Sequence, residues 1–357
     1  MSAMLGHLLE RINDTGPLTV ADYMSECLLH PTLGYYTTRD PLGAAGDFTT
    51  APEISQMFGE LVGLSLAQSW LDQGAPSTFV LAEAGPGRGT LMADMLRATK
   101  AVPGFHAAMQ LHLVEASPVL RARQQEALAG YKVAWTKTLA ELPEAPLWFV
   151  ANEFFDALPV RQFLRDSNDQ HDGWREKRVI AQDGELGFAL GGITPVAALT
   201  HRMTDTVKGD LVEVCAPAAP LAEEIGRRIE AHGGAALIFD YGDWRSKGDT
   251  LQALKSHTKV NPLAGPGEAD LTAHVDFEVL AGATPSAHST MTPQGVFLER
   301  LGITQRAQAL AGGLEGAALE DLIAAHRRLT HPEEMGTLFK VIGFCPHGHT
   351  PPPGLDI

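Results

Sequence analysis

From residue 78 onward, short apolar runs alternate with amphipathic helical stretches, and this alternation constrains the fold more than any other feature of the chain. The runs Phe79–Ala82, Gln110–Val114, Lys132–Trp135, Leu147–Val150, Ala236–Phe239 and Thr337–Ile342 read as strands. Thr90–Ala98, Pro118–Leu128, Pro220–His232 and Leu319–Leu329 read as helices. Strand and helix in alternation predict an α/β fold, a mostly parallel sheet with helices on both faces. Residues 162–210 break the rhythm. They are polar, carry Asp-Gly and Gly-Gly turns, and alternate like antiparallel strands over Trp174–Ile180 and Glu185–Leu190. They are expected to form a mainly β insertion between the fourth and fifth sheet strands.

The stretch before residue 76 is expected to be helical with an irregular loop in it. Pro17 opens a helical pattern that stops near His30-Pro31, and Pro52 to Trp70 is apolar at helical spacing. The chain has 357 residues, 45% of them apolar and 20% charged, enough for a sizeable core. Lys and Arg number 27 against 43 Asp and Glu, a net charge of −16, which repels phosphate backbones and argues against a nucleic-acid substrate. No apolar run is long enough to cross a bilayer. Met1 to Asp14 has neither a signal-peptide core nor an Arg-rich transit pattern. Cys27, Cys215 and Cys345 make no disulfide framework. The expectation is a soluble, reduced, cytoplasmic protein.

The clearest motif is Val80-Leu-Ala-Glu83-Ala-Gly85-Pro-Gly87-Arg-Gly89-Thr90, between a strand and a helix. Glycines let backbone approach a ligand, and the helix start supplies free N–H groups. The dinucleotide fingerprint fails because Thr90 stands where its last glycine belongs, and no Gly-Lys-Ser/Thr follows to make a Walker loop. The second strand ends in Glu115, where an acid can accept from both ribose hydroxyls. Glu83, two places before Gly85, can attract a cationic group of a ligand. Together these features resemble class I S-adenosylmethionine-dependent methyltransferases.

Other stretches carry a closer resemblance. Tyr23-Met24, His30-Pro31 and Gly34-Tyr35-Tyr36 precede Gly46-Asp47-Phe48-Thr49-Thr50-Ala51-Pro52-Glu53-Ile54. Asn152-Glu153-Phe154-Phe155-Asp156-Ala157-Leu158-Pro159-Val160, Asp240-Tyr241-Gly242, Asp270-Leu-Thr-Ala-His274-Val275-Asp276-Phe277 and Met335-Gly-Thr-Leu-Phe-Lys340 follow. In this order they resemble the MidA family across about residues 5–345. Its mitochondrial member is a complex I assembly factor that symmetrically dimethylates an arginine of a complex I subunit. The resemblance implies S-adenosyl-L-methionine as cofactor, a Rossmann-like class I core and a protein substrate, such as a respiratory complex I subunit. It suggests a helical extension and cofactor lid over residues 1–75, a core over 76–161 and 211–345, an insertion over 162–210, and a flexible tail over 346–357.

Each candidate residue has a stated chemical reason. Gly85, Gly87, Gly89, Glu83 and Glu115 are expected to hold the cofactor, with Asn152 at the end of the fourth strand. Gly46, Asp47 and Thr49 have the composition of a covering loop, although Thr50 and Glu53 also fit a capping box. Glu153 and Asp156 follow the fourth strand, at the sheet edge where ligands of open α/β sheets sit. A carboxylate can grip a planar guanidinium in bidentate fashion and leave another nitrogen richer in electrons. Glu153 is the first candidate for that role and Asp156 the second. The alternative for Asp156 is to cap a helix starting at Ala157-Leu158. His274 and Asp276 can pair, hold a loop or assist proton removal. Cys345, His347 and His349 have poor spacing for a metal, and none is expected. Two alternatives stand beside arginine methylation: transfer to another small or protein acceptor, and a non-catalytic assembly factor that keeps cofactor binding. The oligomeric state is not legible.

Overall fold

The computed structural model describes residues 2–38 and 50–356. The chain forms two compact units: Met1–Phe48, Asp156–Ala218 and Arg245–His274 make the first; Thr49–Phe155, Ala219–Trp244 and Val275–Ile357 make the second.

The second unit is built on a nine-stranded sheet. Its main path runs Ala287–His288, Phe339–Cys345, Gly234–Asp243, Leu147–Asn152, Phe79–Ala84, Met109–Val114, Val133–Thr136. The last five are mutually parallel, and Phe339–Cys345 is antiparallel to its neighbour. Phe79–Ala84 and Leu147–Asn152 are buried at every position, as strands covered on both faces should be. Phe79 packs edge-on against Trp148, with Trp70 and Phe105 beside it. The helices Gln56–Asp72, Thr90–Thr99, Pro118–Ala127 and Ala218–His232 flank this core in sequence.

Four local expectations need correction. The apolar stretch Pro52–Trp70 is two helices, Ala51–Ile54 and Gln56–Asp72, broken at extended Ser55, whose hydroxyl accepts from the Met57 N–H. No capping box forms at Thr50: its side chain makes no cap, and Glu53 instead accepts the Thr90 hydroxyl at 2.5 Å. No helix starts at Ala157-Leu158; a turn there leads directly into the strand Val160–Ser167. Residues Met335–Leu338 form a helical turn, and the strand begins only at Phe339.

The first unit holds two antiparallel sheets. In the five-stranded one, Asp172–Gln182 lies between Leu18–Thr19 and Val160–Ser167, with Leu211–Cys215 beyond; Glu185–Thr194 also pairs with Asp172–Gln182. The hairpin within residues 162–210 turns at Asp183 and Gly184, with φ of 53° and 79°. Two left-handed residues in a two-residue connection match the right-handed twist of paired strands. The three-stranded sheet centres on Gln252–Lys255, between Thr258–Val260 and Asp270–Thr272. Leu8, Tyr23, Met24 and Leu271 are core residues, and the Tyr23 hydroxyl donates to the Pro262 carbonyl at 2.6 Å.

Candidate active site

The glycine loop leaves the strand Phe79–Ala84 at its carboxyl end and enters the helix Thr90–Thr99. Gly85 and Gly89 take φ of 62° and 86°, a region that charges a Cβ-bearing residue a steric cost. The loop is pinned by Gly85 N–H to the Val114 carbonyl at 3.1 Å and Gly89 N–H to the Pro86 carbonyl at 2.7 Å. A Cβ on Gly85 would meet the Phe154 ring at 2.9 Å, so the Asn-Glu-Phe-Phe turn lies directly against the loop.

Glu115 follows the neighbouring strand, Met109–Val114. Its Oε1 accepts from the Ser117 N–H at 2.7 Å and its Oε2 from Gln124 Nε2 at 3.2 Å. Gln124 also donates to the Gly87 carbonyl at 2.8 Å and accepts from Trp135 Nε1 at 2.9 Å. One buried amide thus fixes both the loop and the acid. Sequence reading missed Gln124, although a signal exists: it interrupts the buried four-residue stripe Leu120, Gln124, Leu128.

Glu83 is 2% exposed, and its Oε2 has no hydrogen-bond partner in the chain. Asn152 Oδ1, at the end of the adjacent strand Leu147–Asn152, also lacks one. Buried acceptors without donors are costly unless a ligand supplies them. They fit a ligand bearing an ammonium and hydroxyl groups. Burial, then the charge of Glu115, pushes the Glu83 carboxyl up to about 8. The folded, ligand-free chain therefore keeps a proton that the unfolded chain loses near pH 4.5, and its stability falls as pH rises from there to about 8. Glu83→Gln is expected to flatten that slope, which is at most about 1.4 kcal/mol per pH unit. Chemical unfolding at pH 5, 6, 7 and 8 checks it; equal slopes in the two proteins would assign the proton to another group.

Glu153 stands out by its backbone. Its φ is 51°, left-handed in a residue that is not glycine. Such strain of roughly 1–3 kcal/mol persists only where the surroundings fix it, and it gathers at functional sites. The surroundings here are specific. The Glu153 N–H donates to the Phe239 carbonyl at 3.0 Å, and Asp240, fully buried, accepts from the Phe155 N–H at 3.0 Å and the Tyr241 N–H at 2.9 Å. Glu153 Oε1 accepts from the Ala51 N–H at 3.3 Å and from Asn152 Nδ2 at 3.1 Å.

The second unit thus brings Glu83, Gly85, Gly87, Gly89, Glu115, Asn152 and Glu153 to one edge of its sheet. Asp156 and His274 belong to the first unit. The Asp156 carbonyl accepts from the Ala273 N–H at 3.0 Å, and the His274 N–H donates to Thr250 Oγ1 at 2.8 Å. Asp276 caps the helix Phe277–Ala283 by accepting from the Val279 N–H. Gly46, Asp47 and Thr49 lie outside the described residues. In the tail, both the His347 N–H and ring Nδ1 contact Glu230 Oε2. Among the described residues His7, Glu26 and His30 gather as metal-ligand types, but Arg11 pairs with Glu26, and His30 Nδ1 accepts the Thr32 and Leu33 N–H groups. No helix among the described residues is long and apolar enough to cross a membrane.

A family model of S-adenosyl-L-methionine-dependent methyltransferases matches residues 61–296. The mitochondrial protein arginine methyltransferase NDUFAF7 of Mus musculus is 38% identical over 380 residues, covering 97% of this chain and 85% of that protein. The human protein of the same name is 36% identical over 378 residues, with coverages of 97% and 84%. Among solved structures, a COG1565 superfamily member from Burkholderia thailandensis with S-adenosyl-homocysteine bound matches at a TM-score of 0.81 and 28% identity, covering 99% of this chain and 93% of that one. These relatives are named as mitochondrial, which overturns the expected cytoplasmic location. That expectation rested on Met1–Asp14, whose residues 3–15 form a helix that buries Met4, Leu8 and Ile12 and so carries no address.

Proposed function

The chain belongs to this family of S-adenosyl-L-methionine-dependent methyltransferases, and from that premise we propose that it methylates an arginine nitrogen of a protein partner. The observation that carries the reading is the carboxylate of Glu153, held by a strained backbone beside the glycine loop. The names of the mouse and human relatives support it, and the MidA resemblance makes a respiratory complex I subunit the proposed partner.

In this reading Glu115 accepts the ribose hydroxyls, the glycine loop lies against the cofactor backbone-first, and Glu83 and Asn152 face its amino-acid end. The cofactor supplies an electrophilic methyl group. Glu153 orients the guanidinium by charge-assisted hydrogen bonds, so that one nitrogen is held in line for attack. The attacking nitrogen gains the methyl and gives its proton to solvent.

Glu115→Ala removes a charge-assisted acceptor worth roughly 1.5–3 kcal/mol, so cofactor affinity is expected to fall about tenfold to a hundredfold. Calorimetry on the folded variant measures it; unchanged affinity would remove Glu115 from the ribose. The activity itself is tested by incubating the chain with a mitochondrial extract and isotope-labelled methyl donor, then locating the label by mass spectrometry. Label on guanidino nitrogen is the expected result. Label on a lysine, a carboxylate or a small amine would overturn the arginine reading.

A further inference from the structure

We propose that Tyr36, Asp156, Asp270 and Thr272 form an anionic cluster in the first unit that binds the guanidinium of the acceptor arginine, an inference that rests on the arginine reading above. Asp156 and Asp270 are 4% and 5% exposed, deep for two carboxylates. Both bear on one phenol. The Tyr36 hydroxyl donates to Asp270 Oδ1 at 2.6 Å, and burial together with the charges of Asp270 and Asp156 holds that hydroxyl well above its usual pKa. The Ala273 N–H donates to the Asp156 carbonyl and ties the Asp156 turn to the end of the strand Asp270–Thr272.

A second, independent feature points to a ligand. Side chains alternate along a strand, so Asp270 and Thr272 share a face while Leu271 faces the core. Thr272 is 5% exposed, and its Oγ1 has no hydrogen-bond partner in the chain. A hydroxyl buried beside two carboxylates is an acceptor awaiting a donor. A guanidinium is the cation that fits: planar, always charged, weakly hydrated, with five N–H donors spread over a fork. An ammonium offers only three donors from one point and is more strongly hydrated. Asp156 follows Glu153 by three residues, so chain connectivity alone keeps the cluster within about 11 Å of the carboxylate proposed to orient the same group.

The test uses the full chain saturated with S-adenosyl-homocysteine and titrated with N-acetyl-arginine methylamide labelled with 13C at the guanidino carbon, read by NMR line broadening. Binding is expected in the unmodified chain, at least tenfold weaker in Asp270→Asn and in Tyr36→Phe, and at least tenfold weaker for N-acetyl-lysine methylamide. Both variants should keep S-adenosyl-homocysteine affinity within twofold by calorimetry and a cooperative thermal transition, which separates loss of the cluster from loss of the fold. Equal affinity in the variants, equal binding of the lysine analogue, or no binding of the arginine analogue overturns the proposal. If label from the methyl donor lands on arginine while Asp270→Asn keeps its analogue affinity, the cluster is wrong and the arginine reading stands. If the analogue binds through Asp270 but the label lands on another kind of atom, the arginine reading falls, and the assignment of the cluster to the acceptor falls with it.

Discussion

Gly85→Val is expected to lower S-adenosyl-L-methionine affinity by roughly a hundredfold or more while leaving a folded chain. Two costs combine. The backbone at residue 85 has φ of 62°, where a β-branched side chain is strained, and the new Cβ would stand 2.9 Å from the Phe154 ring. Strain of about 1–3 kcal/mol and overpacking of about 1–3 kcal/mol are relieved only if the loop or the turn moves, and either movement spoils the cofactor edge. Gly85 is itself exposed, so global unfolding is not the expected outcome. Calorimetry for the cofactor and far-UV circular dichroism for the fold decide the matter. Native affinity would show that the loop does not touch the cofactor.

Glu153→Gln is expected to reduce turnover by ~10²-fold, the scale of losing one preorganised electrostatic contact, with cofactor affinity changed less than threefold. The substitution is discriminating because of what Glu153 already does. Its Oε1 accepts from the Ala51 N–H and Asn152 Nδ2, and a glutamine oxygen can accept both. Those structural contacts survive and only the charge goes. A purely structural Glu153 would therefore leave single-turnover rates unchanged. A parallel fall in cofactor affinity would make it a cofactor ligand. Glu153→Gly is the companion variant: it relieves the left-handed backbone and so is expected to raise thermal stability slightly, while losing turnover at least as far as the glutamine form.

The sheet of the second unit was legible because its strands are apolar on both faces, and an uninterrupted apolar run has few other places to go. The strand ends were not. Leu147–Asn152 continues two residues past the apolar run, because Ala151 and Asn152 keep pairing with Ile238 and Phe239. The Asp183-Gly184 hairpin could be read from turn chemistry, which is local. Glu153 could be placed after a strand, but nothing in a glutamate announces a positive φ; the Phe239 carbonyl and the Asp240 carboxylate impose it from a strand more than eighty residues away. Distance in the chain hid the first unit too. Leu18–Thr19 pairs with Val179 and Arg178, and no short window of sequence contains both partners.

The interleaving of the two units has a consequence during synthesis. The first unit draws on three separated stretches, and its Tyr23 finds its partner only when Pro262 has been made. The second waits longer still, since the strand Phe339–Cys345 must arrive to cover one side of Gly234–Asp243. A ribosome releasing this chain from its first residue onward thus presents neither unit with a full set of partners until nearly the whole message is translated. In the interval, strand edges and apolar faces are open to wrong partners, and non-local pairing closes slowly. Nascent chains stalled before residue 274 are expected to be protease-sensitive throughout and to engage chaperones, and fragments cut at 155/156 to fail to refold on their own.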